Sequence, residues 1–110
     1  MKENKLIAEF MELPTEVFKS GIMNYHHDGA WYEEHELSYE ISWDWLMPVV
    51  EKIESDDRYD VDILQYGTRI RDNQKEIISN VADISFDKKI DHTYDAVVGF
   101  IKNCVSLEKQ

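Results

Sequence analysis

The chain has 110 residues, a formal net charge of −11 and one cysteine, Cys104. That length predicts one domain, residues 1–110, large enough to bury a core, and one cysteine excludes an internal disulfide framework or a multi-cysteine zinc site. The acidity disfavours direct contact with nucleic acid. No apolar run approaches the roughly 18 residues of a membrane span, and the charged start Met1-Lys2-Glu3-Asn4-Lys5 does not read as a signal peptide, so a cytoplasmic protein is expected.

In chain order, residues 3–11 read as a short helix, because Leu6, Ile7 and Phe10 fall on one side. Leu13-Pro14 ends it. Thr15 to Lys19 reads as a turn of helix, broken at Ser20-Gly21. Met23 to His26 and Ala30 to Tyr32 read as a hairpin around His27-Asp28-Gly29, with Tyr25 and Trp31 available for cross-strand packing. Glu33-Glu34-His35-Glu36 follows as an exposed acidic extension, and Leu37 to Ile41 as a bridge.

Residues 42–54 are predicted to form the first main helix. Ser42 or Asp44 caps it, and the two starts leave Pro48 either inside the helix or near its first turn. Trp43, Leu46, Met47, Val50 and Ile53 form the expected core stripe. Tyr59, Val61 and Ile63 alternate with Asp60 and Asp62, which predicts a half-buried strand. Tyr66-Gly67-Thr68 reads as a bulge or tight turn, Thr68 to Arg71 as a second strand, Asp72 to Lys75 as a turn, and residues 76–86 as a last strand. Residues 87–107 are predicted to form the second main helix, capped by Asp87 or Asp91. Its stripe is Ile90, Tyr94, Val97, Val98, Ile101 and Val105, and the interior Gly99 points to a close helix–sheet approach or simple tolerance. The expected fold is α+β: a largely antiparallel sheet of three to five strands, packed against two main helices and the short N-terminal one.

Three segments, Asn4–Met11, Ser42–Ile53 and Thr93–Ile101, resemble small uncharacterised proteins of bacteriophages and mobile elements of Bacteroides-type bacteria, related to phage ABA-sandwich domains. The resemblance covers the helices only. It implies a sheet covered by helices and a phage-like origin, and it carries no catalytic residues.

Chemistry is sparse. His26, His27 and Asp28 lie near Glu33, Glu34 and His35, but adjacent strand histidines face opposite ways, and the helical spacing of metal sites is missing. Surface histidines are the expected reading. His92, in the first turn of the last helix, is expected to be exposed, and Cys104 to be a small buried hydrophobe. Four scattered glycines make no phosphate loop. Asp60 and Asp62 share a strand face, as an acid–base pair or any solvated strand would. No catalytic residue, metal ligand or cofactor is assigned. Trp45 lies about 200° around the helix from Trp43. It either packs under residues 22–37, the favoured reading, or serves as an exposed binding hot spot.

The charge is segregated. Residues 28–62 hold twelve acidic side chains against Lys52 and Arg58. Together with the phage origin that the resemblance implies, this makes protein binding the expected function: an anti-CRISPR-like inhibitor that fills the basic groove of a host nucleic-acid enzyme, such as a defence nuclease, in a bacterial cytoplasm. Asp28, Glu33, Glu34, Glu36, Asp56, Asp57, Asp60 and Asp62 would stand in for phosphates, with Trp45 beside them. Two alternatives stay open: a small metal-dependent or acid–base enzyme using His26, His35 and Asp28, and a structural or self-associating module whose acid only keeps it soluble.

Overall fold

A computed structural model describes residues 3–65, 67–72, 77–82 and 88–108, with the side chains of the last helix described through Asn103. The fold is α+β, with helices α1 (Asn4–Phe10), α2 (Trp43–Glu54) and α3 (Lys89–Glu108). The strands β1 (Thr15–Val17), β2 (Met23–His27) and β3 (Ala30–Glu33) form one antiparallel sheet; β4 (Tyr59–Leu64), β5 (Gly67–Asp72) and β6 (Ile77–Ala82) form another. The expected single sheet is thus two three-stranded meanders. Among the described residues, no helix is long and apolar enough to cross a membrane.

The first sheet follows from its turn. Asp28 and Gly29 both have positive φ, 49° and 86°, which is the two-residue turn that Asp-Gly favours. It sets His27 opposite Ala30, His26 opposite Trp31 and Tyr25 opposite Tyr32. Tyr25 and Trp31 are therefore not partners: Tyr25 is buried and Trp31 lies on the other face. Thr15 to Val17 is a strand, not the expected helical turn. The Pro14 carbonyl accepts from the His26 N–H at 2.8 Å, and Phe18 N–H donates to the Ile22 carbonyl, so pairing with β2 overrides weak local propensity.

Ser42 is the N-cap residue of α2, without a side-chain cap bond, and Pro48 lies inside the helix. Pro48 offers no N–H to the Asp44 carbonyl, and Asp44 is exposed, so water can serve that acceptor. The buried stripe is Leu46, Val49, Val50 and Ile53. Trp43 and Trp45 flank it on opposite sides. Only the Trp45 side is covered, so Trp43 is exposed, which corrects the expected core position.

α3 packs on β5 and β6, α1 on α3, and α2 on β4 and α3. Ile7, Ile70, Ile90, Val97 and Ile101 meet the α2 stripe in one core, joined by Leu37 and Tyr39 from the supposed bridge. Gly99 marks the close approach: a Cβ there would sit 2.9 Å from Ser79 Oγ. Ser79 in turn donates to the Ala96 carbonyl at 2.7 Å. Asn4 ties α1 down, donating to the Leu37 carbonyl at 2.8 Å and accepting from Tyr94 at 2.9 Å. The expected turn at 73–75 and caps at Asp87, together with Ile84, Phe86, Cys104 and Val105 as side chains, lie outside the described residues.

Candidate functional site

The two faces of the first sheet differ in chemistry. Its inner face is aromatic and covered. The His27 imidazole stacks on the Trp45 indole at 3.8 Å and 17°, and Tyr32 and Tyr39 meet the same indole edge-on at 5.1 and 5.3 Å. Trp45 is half-buried under the hairpin, so among the proposed contact residues it is the prop rather than the contact. Tyr39 is buried, and desolvation pushes its phenol up to about 12.

The outer face carries Phe18, His26 and Trp31. Trp31 meets Phe18 edge-on at 5.6 Å and His26 at 5.0 Å. Trp31 and Phe18 are each 39% exposed. In the neighbouring row, Glu16 and Glu33 stand on either side of Asn24, which is opposite both. At one end of the sheet Ile22, and Val17 and Met23 on the face of Tyr25, add exposed apolar surface.

Acid is concentrated in the hairpin and the turn that follows it. Asp28 occupies the hairpin turn. Glu34, His35 and Glu36 form one turn of 3-10 helix directly after β3. That turn is held by a reciprocal cap: the Glu33 N–H donates to Glu36 Oε1 at 3.0 Å, and the Glu33 carboxylate accepts from the Glu36 N–H. Among the described residues, Asp28, Glu33, Glu34 and Glu36 form no ion pair with a lysine or arginine; the neighbour of Glu33 is His35 at 3.6 Å.

The remaining proposed acidic residues differ. Asp56 pairs with Arg58 at 2.7 Å and accepts from its backbone N–H, and these hydrogen bonds hold its carboxyl down at about 2. Asp62 pairs with Arg71 at 2.7 Å. On the second sheet Asp60 stands opposite Arg71 and Asp62 opposite Arg69, so that face alternates in sign. Asp57 and Asp60 are exposed beside these pairs. Among the described residues the eight acidic residues thus divide between a hairpin group without arginine or lysine partners and a group at and before β4 mixed with arginine.

Enzyme chemistry finds little support in the geometry. His26 lies against Trp31, His35 beside Glu33, and Asp28 at the turn. The metal-competent cluster among the described residues is instead Glu33, His35 and Glu36, with donor atoms within 4.8 Å of one another. Its two carboxylates already serve the reciprocal cap. His92 is 0% exposed, against expectation. Its Nδ1 lies 2.7 Å from Thr68 Oγ1, which lies 2.9 Å from Thr93 Oγ1. That is base-to-hydroxyl reach, but His92, Thr68 and Thr93 are all fully buried, so the trio fastens α3 to β5 and offers no reachable nucleophile.

A cleft of about 540 Å³ lies between α1, α2 and α3, over Phe10, Tyr59 and Phe100. The chain's own cations occupy its rings: Lys52 Nζ lies 4.8 Å from the Phe10 centroid and Arg58 5.3 Å from that of Tyr59. Lys52 also donates to the Phe10 carbonyl. Among the described residues no lysine or arginine stands over the rings of the outer sheet face, which makes it the stronger candidate.

Sequence reasoning found the hairpin acids but missed Glu16, Phe18 and the outward side of Trp31. The parity of the hairpin was the available signal: Trp31 shares a face with Glu33 and His26, not with Tyr25. Compared with protein families, curated proteins and solved structures, the chain finds no match.

Proposed function

We propose that the chain is an acidic protein-binding module that occupies a basic, nucleic-acid-binding groove of another protein, in the manner of a phage inhibitor of a host defence nuclease. The supporting observation is the division of the acid. Asp28, Glu33, Glu34 and Glu36 lack lysine or arginine partners among the described residues, and Glu33 shares a strand face with exposed Trp31. Carboxylates left without internal cations steer a basic surface in, and aromatic side chains at the centre of a contact supply the short-range affinity.

The test is affinity isolation from a bacterial lysate, followed by binding of the purified partner in competition with duplex DNA. Glu16→Lys and Glu34→Lys leave the reciprocal cap of Glu33 and Glu36 intact. Together they are expected to weaken binding at least tenfold at low salt, with DNA displacing the wild-type protein. Unchanged affinity, or simultaneous binding of DNA and this chain, would sink the proposal.

A further inference from the structure

The structure holds the same three-part unit twice: an aromatic ring, a cation over it, and a carboxylate on the cation. Lys52 lies over Phe10 and 3.8 Å from Glu12. Arg58 lies near Tyr59 and 2.7 Å from Asp56. The outer face of the first sheet has the ring, Trp31, and the carboxylates, Glu16 and Glu33. Among the described residues no lysine or arginine stands over the Trp31 ring.

Resting on the acidic-binding reading above, we infer that this face docks an arginine of the partner, its guanidinium laid on the Trp31 indole and its N–H donors turned to Glu33 and Glu16. Trp31 and Glu33 are two residues apart on β3 and so share its outer face. Glu16 lies across the same row, two strand spacings from Glu33, about 10 Å. Phe18 and His26 both touch the indole with steeply inclined rings, at 5.6 and 5.0 Å, so the ring is held before a partner arrives. Glu33 keeps acceptor capacity beyond its cap bond and its 3.6 Å neighbour His35, because a carboxylate has about four lone-pair sites.

Arginine fits better than lysine for two reasons. A guanidinium is planar and weakly hydrated, so it can stack on the indole while its edge donates to carboxylates; an ammonium is a strongly hydrated point charge. The carboxylates are spread along a row rather than gathered at one point, which suits several donors fanned in a plane. A second copy of this chain is the wrong occupant, since two chains of net charge −11 repel. The open edge of β1 is also a poor docking strand, being only three residues long and carrying Glu16 at its centre.

The test uses two peptides of equal length and charge on a Gly-Ser background, one with arginines and one with lysines. Binding to the full chain is followed by the indole N–H resonances of the three tryptophans. The arginine peptide is expected to bind three- to fivefold more tightly and to shift the Trp31 resonance above those of Trp43 and Trp45. Trp31→Leu, checked for retained signal dispersion, should abolish the ratio while the lysine peptide binds as before. Glu16→Gln, on exposed β1, should weaken the arginine peptide without changing the fold. A ratio of one in the wild type, or a ratio that survives Trp31→Leu, overturns the arginine site. Equal, salt-sensitive binding of both peptides would do so while leaving the acidic module standing; no binding of either at millimolar concentration would end both.

Discussion

Replacing Tyr39 with phenylalanine should make the protein more stable. The Tyr39 ring packs edge-on against Trp45 at 5.3 Å, and the residue is 1% exposed. Its hydroxyl is buried and has no hydrogen-bond partner among the described residues. A buried polar group left unsatisfied costs about 1–3 kcal/mol. Removing the oxygen leaves a void of roughly 15 Å³, which costs back about 0.4 kcal/mol at ~24 cal/mol per Å³. The net expectation is a gain of about 0.6–2.6 kcal/mol, read as a rise in the urea midpoint at unchanged slope. The same hydroxyl gives a pH test. Its pKa is raised from 10.0 to about 12 in the folded chain, so the native state keeps a proton that the unfolded state releases. The unfolded state then binds fewer protons, and stability falls as pH rises from 10 towards 12. A shift of that size corresponds to roughly 3 kcal/mol, and Tyr39→Phe should remove this share of the alkaline loss. A phenylalanine variant 1 kcal/mol less stable than wild type, with the alkaline limb unchanged, would show that the hydroxyl is satisfied and that the reasoning fails.

Three further substitutions probe the frame. Gly99→Ala should destabilise by about 1 kcal/mol despite the better helix propensity of alanine, because the new Cβ falls 2.9 Å from Ser79 Oγ; in a Ser79→Ala background it should become neutral or favourable, and chemical denaturation of the four variants decides this. Thr68→Val should cost about 2–4 kcal/mol, since it strips one hydroxyl from both His92 and Thr93 in a buried setting, and calorimetry should show it as a large fall in Tm. Trp45→Ala should cost about 3–5 kcal/mol, whereas Trp43→Ala should stay within about 1 kcal/mol, because only Trp45 is packed by the hairpin.

Local signals were legible in the residues. Asp28-Gly29 sets the hairpin, the alternation from Tyr59 sets β4, and the 3.6-residue stripe of α3 sets its buried face. What escaped depends on distant partners. Thr15 to Val17 becomes a strand only by pairing with Met23 to Tyr25. His92 looks like a surface residue until Thr68, 24 positions earlier, is placed against it. The choice between Trp43 and Trp45 was undetermined locally, since both flank the stripe, and it is made by which side the hairpin covers. The candidate site suffered the same way: the acids were visible as composition, but their separation into two groups needed Arg58 and Arg71 in space.

That separation changes what net charge means here. If binding drew on acidity alone, the β4 group and the hairpin group would contribute alike. They are not equivalent. Asp56 and Asp62 already have guanidinium partners, and a basic partner must compete with these before gaining anything from either carboxylate. Among the described residues the hairpin acids carry no such competitor, and Glu33 shares a strand face with Trp31. Reversing Glu34 should therefore weaken a basic partner more than reversing Asp56, although each substitution changes the net charge equally. A fall in affinity with Asp56→Lys as large as that with Glu34→Lys would mean that total charge, rather than the hairpin group, governs association.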